Sequence, residues 1–351
     1  MRNKHPRLVM ASVVAAAALS AVASSSSFAS GSAASAPRPG STVRIRVPAP
    51  VSGGHPVIIS VTVPKAGTKI GVDSASHADP GQAAMDTANE RIFALTGVKT
   101  VFADANLDPN VQLQIADSML SQGVKAEIQD IIFPHSLDAF LARATAAKVG
   151  VCVEFSPTAG GAQENDDQAG RSMVAFLHKK FPSGAQGAEL GNTPAAVIVN
   201  RETGFYRALK AYPNLVVGPR VRNLKEDIAD ARTLAENLLT ANPNLQFIWT
   251  TNDNEAIGAG LAAQGLGRKI VILGMNGAPD AVAAVKSGLI TATWDSNQNL
   301  IGAYVAANCV NYVTTGTFKP AEYVPFTEIT KANAAKWVPW PKRPKLTVLA
   351  K

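Results

Sequence analysis

The sequence is poor in the residues that most readily declare a function. It has two cysteines, Cys152 and Cys309, in 351 residues, so there is no CxxC pair or Cys/His cluster to hold zinc and at most one disulfide can form within the chain. The five histidines, His5, His55, His77, His135 and His178, fall in no HxxxH or HExxH spacing, which removes the histidine-based metal motifs. Neither the GxSxG elbow of serine hydrolases nor the GxxxxGK[ST] phosphate loop occurs. Asp166-Asp167 and the acids around Asp253 are the nearest approach to a general acid/base pair, and solvated-loop or hinge hydrogen bonding accounts for them more simply. No cofactor is called for. What remains is a chain with 46% hydrophobic and 17% charged residues, the balance of a folded globular protein, and a length suited to about two domains.

The start of the chain reads as a secretory signal. Arg2, Lys4 and Arg7 precede an apolar run from Leu8 to Val22, and Ser27-Phe28-Ala29 offers the small residues of a cleavage site, placing the cut after Ala29. That run is short of the roughly 20 residues of a spanning helix, and no later one is longer. Losing residues 1–29 removes three basic and no acidic residues, which leaves 30 basic against 26 acidic, a net of +4. So small a dispersed charge makes no case for nucleic acid. With no cysteine near the cut to carry a lipid, the expectation is a free, exported, monomeric chain.

Residues 30–65 read as a small-residue linker followed by two β-like runs, Val43 to Val47 and Val57 to Val63, a hairpin ahead of the main fold. From Lys69 short apolar strands alternate with helical stretches: KIGVDS, KTVFADA, QDIIFP and VGVCVEF, with helices over about Gly81 to Thr96, Pro109 to Gln122 and Leu137 to Lys148. A helix from Gln168 to Lys180 opens a second set, with strands AAVIVN, LVVGPRV, FIWTTND, IVILGMNG and LITATWD. The expected class is α/β: two doubly wound, Rossmann-like lobes, with functional residues just after each strand.

Five motifs in order carry a resemblance: DANLDPNVQLQIADSMLSQGV, RETGFYRALKAYPNL, LLTANPNLQFIWTTNDNEAIGAG, VILGMNGAPDAVAAVKSGLITATWD and VPFTEITKAN. Over about residues 67 to 335 the chain resembles the type I periplasmic binding proteins of the ribose-binding group, the extracytoplasmic receptors of ABC-type sugar importers. The resemblance implies two lobes joined by a three-crossing hinge, lobe one over 66–164 and 297–325, lobe two over 165–296 and 326–351. It implies capture of a small polar ligand, a sugar or polyol, and delivery to the permease of an ABC importer. Presentation of the ligand to a receptor ectodomain, for sensing, is the alternative. The related DNA-binding repressors carry an N-terminal helix-turn-helix where this chain has its signal.

A sugar pocket needs amides and carboxylates that pair with neighbouring hydroxyls, and flat apolar faces for the C–H surface. The candidate ligand-binding residues at the strand ends are Asp73, Ser74, His77, Phe133, Glu154, Phe155, Arg201, Asn252, Asn276, Trp294 and Ser296. By the resemblance, Asn252 stands where ribose-type proteins place a ligand-binding asparagine, Asn276 where they have an aspartate, and Ser296 where they have a glutamine. Loop capping is the plainer role for Asn252, and core or hinge packing for Trp294. The chain departs from the family where Asp79-Pro80-Gly81-Gln82 replaces an Asn-Pro followed by two aromatics, and where Phe155-Ser156 replaces an Asp-Arg pair. Phe133 and Phe155 are the candidates to rebuild an aromatic wall. A Cys152–Cys309 disulfide is left open, because sequence does not measure their separation.

Overall fold

Short β-strands and helices alternate along the chain. The computed structural model describes residues 37–133, 135–194, 196–343 and 346–349; the leader read at 1–29 lies outside them. Strands β1 (Thr42–Val47) and β2 (Val57–Thr62) come first. Then follow β3 (Lys69–Ser74), α1 (Pro80–Thr96), β4 (Lys99–Asp104), α2 (Pro109–Ser121), β5 (Ala126–Gln129), α3 (Asp138–Ala146) and β6 (Gly150–Val153). The middle of the chain forms β7 (Ala162–Glu164), α4 (Asp166–Lys180), β8 (Ala185–Asn192), α5 (Ala196–Leu209), β9 (Leu215–Asn223), α6 (Ile228–Ala241) and β10 (Phe247–Thr250). It ends with α7 (Asp253–Gly265), β11 (Val271–Asn276), α8 (Pro279–Ser287), β12 (Ala292–Asp295), α9 (Gln298–Thr315), β13 (Glu322–Val324), β14 (Thr327–Thr330) and β15 (Thr347–Val348). Side-chain caps mark the starts of α1, α2, α4, α6 and α7. The first two of these helices share one start signal: Asp79 and Asp108 accept hydrogen bonds from the backbone N–H groups that follow, and Pro80 and Pro109 take the first helical position, where no N–H is needed.

Two parallel sheets result. The first has the order β4-β3-β5-β6, and a bridge between Glu154 and Ala162 carries it on to the parallel pair β7 and β13. The second has the order β14-β12-β11-β10-β8-β9, parallel except for β14, which runs against β12. In each sheet the first strand in sequence has neighbours on both sides, so the winding reverses at β3 and at β8. Such switch points open a crevice at the carboxyl ends of the strands. Among the described residues no helix is long and apolar enough to cross a membrane.

One expected strand is a helix. The AVIVN part of AAVIVN, from Ala196, lies in α5, and the strand before it is AQGAELGN, which has no β-branched residue and two glycines. Packing overrides propensity there: a Cβ on Gly187 would sit 2.2 Å from the Phe247 ring, so only glycine lets β8 lie against β10. The α4–α5 crossing is as close, backbone against backbone. A Cβ on Gly170 would fall 2.3 Å from the Gly204 carbonyl oxygen, and the aliphatic run is drawn into that helix pair instead of a strand. The strand expected at QDIIFP ends sooner, at Gln129.

The hairpin of β1 and β2 is part of the lobe-one core: Ile45, Val47, Ile59 and Val61 are buried in one cluster with Leu300, Ile301 and Val305 of α9. The end of the chain returns to it, with β15 pairing to β1 and Val51 bridging to Trp337. Between β14 and β15 the chain passes over the crossing from β12 to α9. There the buried Arg343 guanidinium pairs with Asp295 and donates to Asn297 Oδ1 at 3.0 Å, and the Trp337 indole donates to Asp295.

Helix α9 joins lobe one although it follows lobe two in sequence, and a disulfide from Cys309 to Cys152 on β6 fastens it, with a Cα–Cα separation of 5.9 Å across 157 residues. Closing so long a loop removes much entropy from the unfolded chain. A Cys152→Ser, Cys309→Ser variant is expected to lose about 2–5 kcal/mol of unfolding free energy in urea, and reductant should lower the parent to the same level. Equal stability of parent and variant under oxidising conditions would show that the bond contributes nothing.

Candidate functional site

At the carboxyl ends of the lobe-one strands lies a cavity of about 180 Å³, lined by Ala75, Ser76, Asp79, Gly81, Gln82, Met85, Leu107, Asp130, Phe155 and Gln298. It sits at the switch point: Ala75 and Ser76 follow β3, Leu107 follows β4, Asp130 follows β5 and Phe155 follows β6, while Gln298 begins α9 at the crossing. Phe155 reaches its place through a left-handed backbone, φ 52°, which turns the chain sharply after β6. A wider groove of about 600 Å³ lies on lobe two between α5 and the edge strand β9, lined by residues such as Val199, Tyr206 and Arg220, and none of its lining follows a lobe-one strand.

Behind the cavity wall two buried carboxylates share amide donors. Gln82 Nε2 donates to Asp86 at 3.1 Å and to Glu154 at 2.9 Å, and Asn89 Nδ2 donates to the other Glu154 oxygen at 2.9 Å. Ser74 Oγ and His77 Nδ1 both meet Asp86 Oδ2, at 2.7 and 2.8 Å. Burial first, and then Asp130 and Asp86, push the Glu154 carboxyl up to about 8 against the pull of its two amides. Burial, with Asp86 and Asp79 nearby, raises Asp130 to about 7.

The strand ends of lobe two hold a second polar cluster, centred on the buried Arg201. Its guanidinium grips both oxygens of Glu164 on β7 at 2.8–3.1 Å, donates to the Thr251 carbonyl at 2.8 Å, and donates to Asn276 Oδ1 at 2.7 Å. Burial works against the charge, but Glu164 and Asp166 outweigh it and raise the arginine above its ordinary value. Asn252 caps α7, its Oδ1 accepting from the Asp253 backbone at 2.6 Å and from Asn276 Nδ2 at 3.3 Å. Asn276 ends β11 with φ 122°, and its backbone carbonyl accepts from the Ser296 backbone at 3.1 Å. Ser296 Oγ in turn accepts from Gln298 Nε2 at 2.8 Å, tying this cluster to the cavity lining.

The structure thus sorts the expected residues into groups. Phe155 lines the cavity; Ser74, His77 and Glu154 stand in the layer behind it; Arg201, Asn252, Asn276 and Ser296 form the lobe-two cluster. Three are elsewhere. Trp294 is fully buried in the lobe-two core, its indole donating to Ser172 at 2.9 Å and its ring edge-on to Phe176, so it is a packing residue. Phe133 is largely exposed on the loop after β5, outside the cavity lining. Asp73 points to the opposite face of its strand from Ser74, toward Glu127 and Gln129, because alternate strand residues face opposite ways. Arg201 sits on a helix, and the residue that does end the preceding strand is the buried Asn192, whose backbone N–H donates to Thr251 Oγ1 at 3.1 Å. The cavity residues Asp79, Gln82, Asp130 and Gln298 were missed. For Asp79 and Gln82 the signal was the polar stretch that replaces a family motif; Asp130 and Gln298 had none. Among the described residues no group of acids, histidines and cysteines is placed to hold a metal ion.

Two doubly wound lobes with polar clusters at their strand ends define a two-lobed receptor for a small molecule. The chain belongs to the periplasmic binding protein family, whose domain profile matches residues 70–317. It is therefore a binding protein, not an enzyme. The ribose import binding protein RbsB of Bacillus subtilis is 26% identical over 239 residues, 66% of this chain and 77% of that one. The D-apiose import binding protein of Paraburkholderia graminis is 26% identical over 287 residues, 78% of this chain and 90% of that one. A periplasmic ribose ABC transporter structure from Conexibacter woesei superposes with a TM-score of 0.72 at 16% identity, covering 77% of this chain and 94% of that one, and establishes the fold.

Asp73 and Glu127 yield a pH prediction. Burial first raises both carboxyls to about 8, against the Gln129 amide, so between pH 4 and 8 the folded chain holds protons that the unfolded chain releases. Stability should therefore fall as pH rises through that window and level off above it. Asp73→Asn and Glu127→Gln should each flatten the fall by roughly 1–3 kcal/mol, read from chemical unfolding at pH 5 and pH 8. A slope unchanged in both variants would exclude the pair as its source.

Proposed function

We propose that this chain is an exported receptor that captures a sugar or polyol between its lobes and delivers it to an ABC-type importer. The observation that carries the reading is the cavity at the lobe-one switch point, a single-ring-sized space walled by Asp79, Gln82, Asp130 and Gln298 with the Phe155 ring beside them. Carboxylates and amides accept from and donate to the hydroxyls of a polyol, and an aromatic face covers its C–H surface. Relatives named for ribose and for D-apiose import support the same ligand class. In this reading lobe one comprises 66–164 and 297–325, lobe two 165–296 and 326–351, and residues 1–29 are removed on export. The hinge is the three passages between the sheets, and the Arg201 cluster closes on the ligand from lobe two.

A thermal-shift screen against sugars, polyols, amino acids and nucleosides tests this, since a specific ligand at a hundredfold excess over its Kd adds about 2.7 kcal/mol. Stabilisation should be confined to sugars or polyols; a response only to amino acids or nucleosides would overturn the assignment. Two variants separate binding from folding. Asn276→Ala should weaken the selected ligand by about 1–3 kcal/mol, because it leaves hydroxyls unpaired in the closed cleft. Asn252→Ala should in addition lower unfolding free energy by about 1 kcal/mol, the loss of the α7 cap. Calorimetric titration and urea unfolding of both proteins read the two effects, and unchanged affinity in both would take the cluster out of the site.

A further inference from the structure

The lobe-one cavity has an unequal supply of hydrogen-bonding groups. Its lining contains two charged residues, Asp79 and Asp130, both acidic, and no lysine, arginine or histidine. The amide donors of this wall are spent inward: Gln82 Nε2 is divided between Asp86 and Glu154, and Asn89 Nδ2 is given to Glu154. The one base in the layer behind, His77, is held by Asp86. What is left facing the space is one hydroxyl, that of Ser76, and otherwise acceptors. Gln298, 6% exposed, lines the cavity with its Oε1 unpartnered while its Nε2 is committed to Ser296. The Asp130 side chain makes no hydrogen bond or ion pair among the described residues, and Asp79 uses Oδ1 alone to cap α1. The strong cation of the other lobe, Arg201, is already neutralised by Glu164.

An acceptor-rich wall with uncompensated negative charge suits a ligand that brings donors and a positive charge. Resting on the sugar-or-polyol reading, we propose that the preferred ligand carries an ammonium group, as an amino sugar or aminocyclitol does, and that Asp130 and Gln298 Oε1 receive that group. Burial first, and then Asp86 and Asp79, hold the Asp130 carboxyl up near 7, and a cation beside it offsets the part that comes from those two acids. A neutral sugar would leave that part in place. A charge-assisted hydrogen bond is about twice as strong as a neutral one, which amounts to about tenfold in affinity.

The test is calorimetric titration with matched pairs: D-glucosamine with D-glucose, D-galactosamine with D-galactose, and an aminodeoxyinositol with myo-inositol, each amine also checked against its N-acetyl derivative. The expected result is that at least one amine binds about tenfold or more tighter than its hydroxyl counterpart, that acetylation removes the advantage, and that the advantage shrinks as salt is raised. In Asp130→Asn, a near-isosteric change whose folding is checked by its thermal transition, the amine-to-hydroxyl affinity ratio should collapse toward one. Neutral members binding as well as or better than their amines would overturn this inference and leave the sugar reading standing. A ratio preserved in Asp130→Asn would overturn the role of that carboxylate. Binding by no member of any pair, to folded protein that the thermal-shift screen still shows to bind a neutral sugar or polyol, would overturn this inference alone, and silence in both experiments would overturn the reading beneath it as well.

Discussion

The buried pairing of Asp295 with Arg343 is the constraint on which the two-lobed arrangement depends. Asp295 ends β12, the last parallel strand of lobe two, and two residues later Asn297 takes a left-handed turn into α9, which belongs to lobe one. An unpaired carboxylate at that depth would cost several kcal/mol, and the chain supplies it with Arg343, the Trp337 indole and the Asn297 backbone N–H. Burial alone would push the Arg343 guanidinium toward losing its charge, and Asp295 opposes this. The segment supplying these partners comes from the far end of the chain, so the direction in which α9 leaves lobe two is fixed by residues almost fifty positions away.

The same economy appears in each lobe. Glu154 and Asp86 are tolerated inside lobe one because two amides and a hydroxyl reach them, and Arg201 is tolerated inside lobe two because Glu164 offers both of its oxygens. These internal pairings decide which groups remain for a ligand. A donor already given to a buried acid cannot be offered to a sugar hydroxyl, so the character of the cavity follows from what the layer behind it consumes.

Much of the fold was legible because its signals are local and repeated. Asp-Pro steps open α1 and α2, and short apolar runs at near-regular spacing mark β3, β4, β10, β11 and β12. Where the reading failed, the cause was contact between distant residues: β8 is a strand because Gly187 leaves room for the Phe247 ring on β10, which the sequence AQGAELGN does not announce. The site was less legible than the fold. Adjacent residues on a strand face opposite ways, so Asp73 and Ser74, or Trp294 and Asp295, look alike as strand-end residues until the helix covering each face is known. Gln298 was invisible for another reason, since it follows no strand directly and enters the cavity only because α9 crosses between the lobes.

That crossing also sets the order in which the molecule can be completed. Strands β8 to β12 of lobe two are contiguous in sequence and can come together as soon as residue 295 is available. Lobe one cannot: Cys152 must wait for Cys309, and β1, the first strand described, gains its second neighbour only when Thr347 and Val348 arrive. A chain emerging from its amino end would carry a half-built lobe one, with the inner face of its hairpin uncovered, for most of its passage.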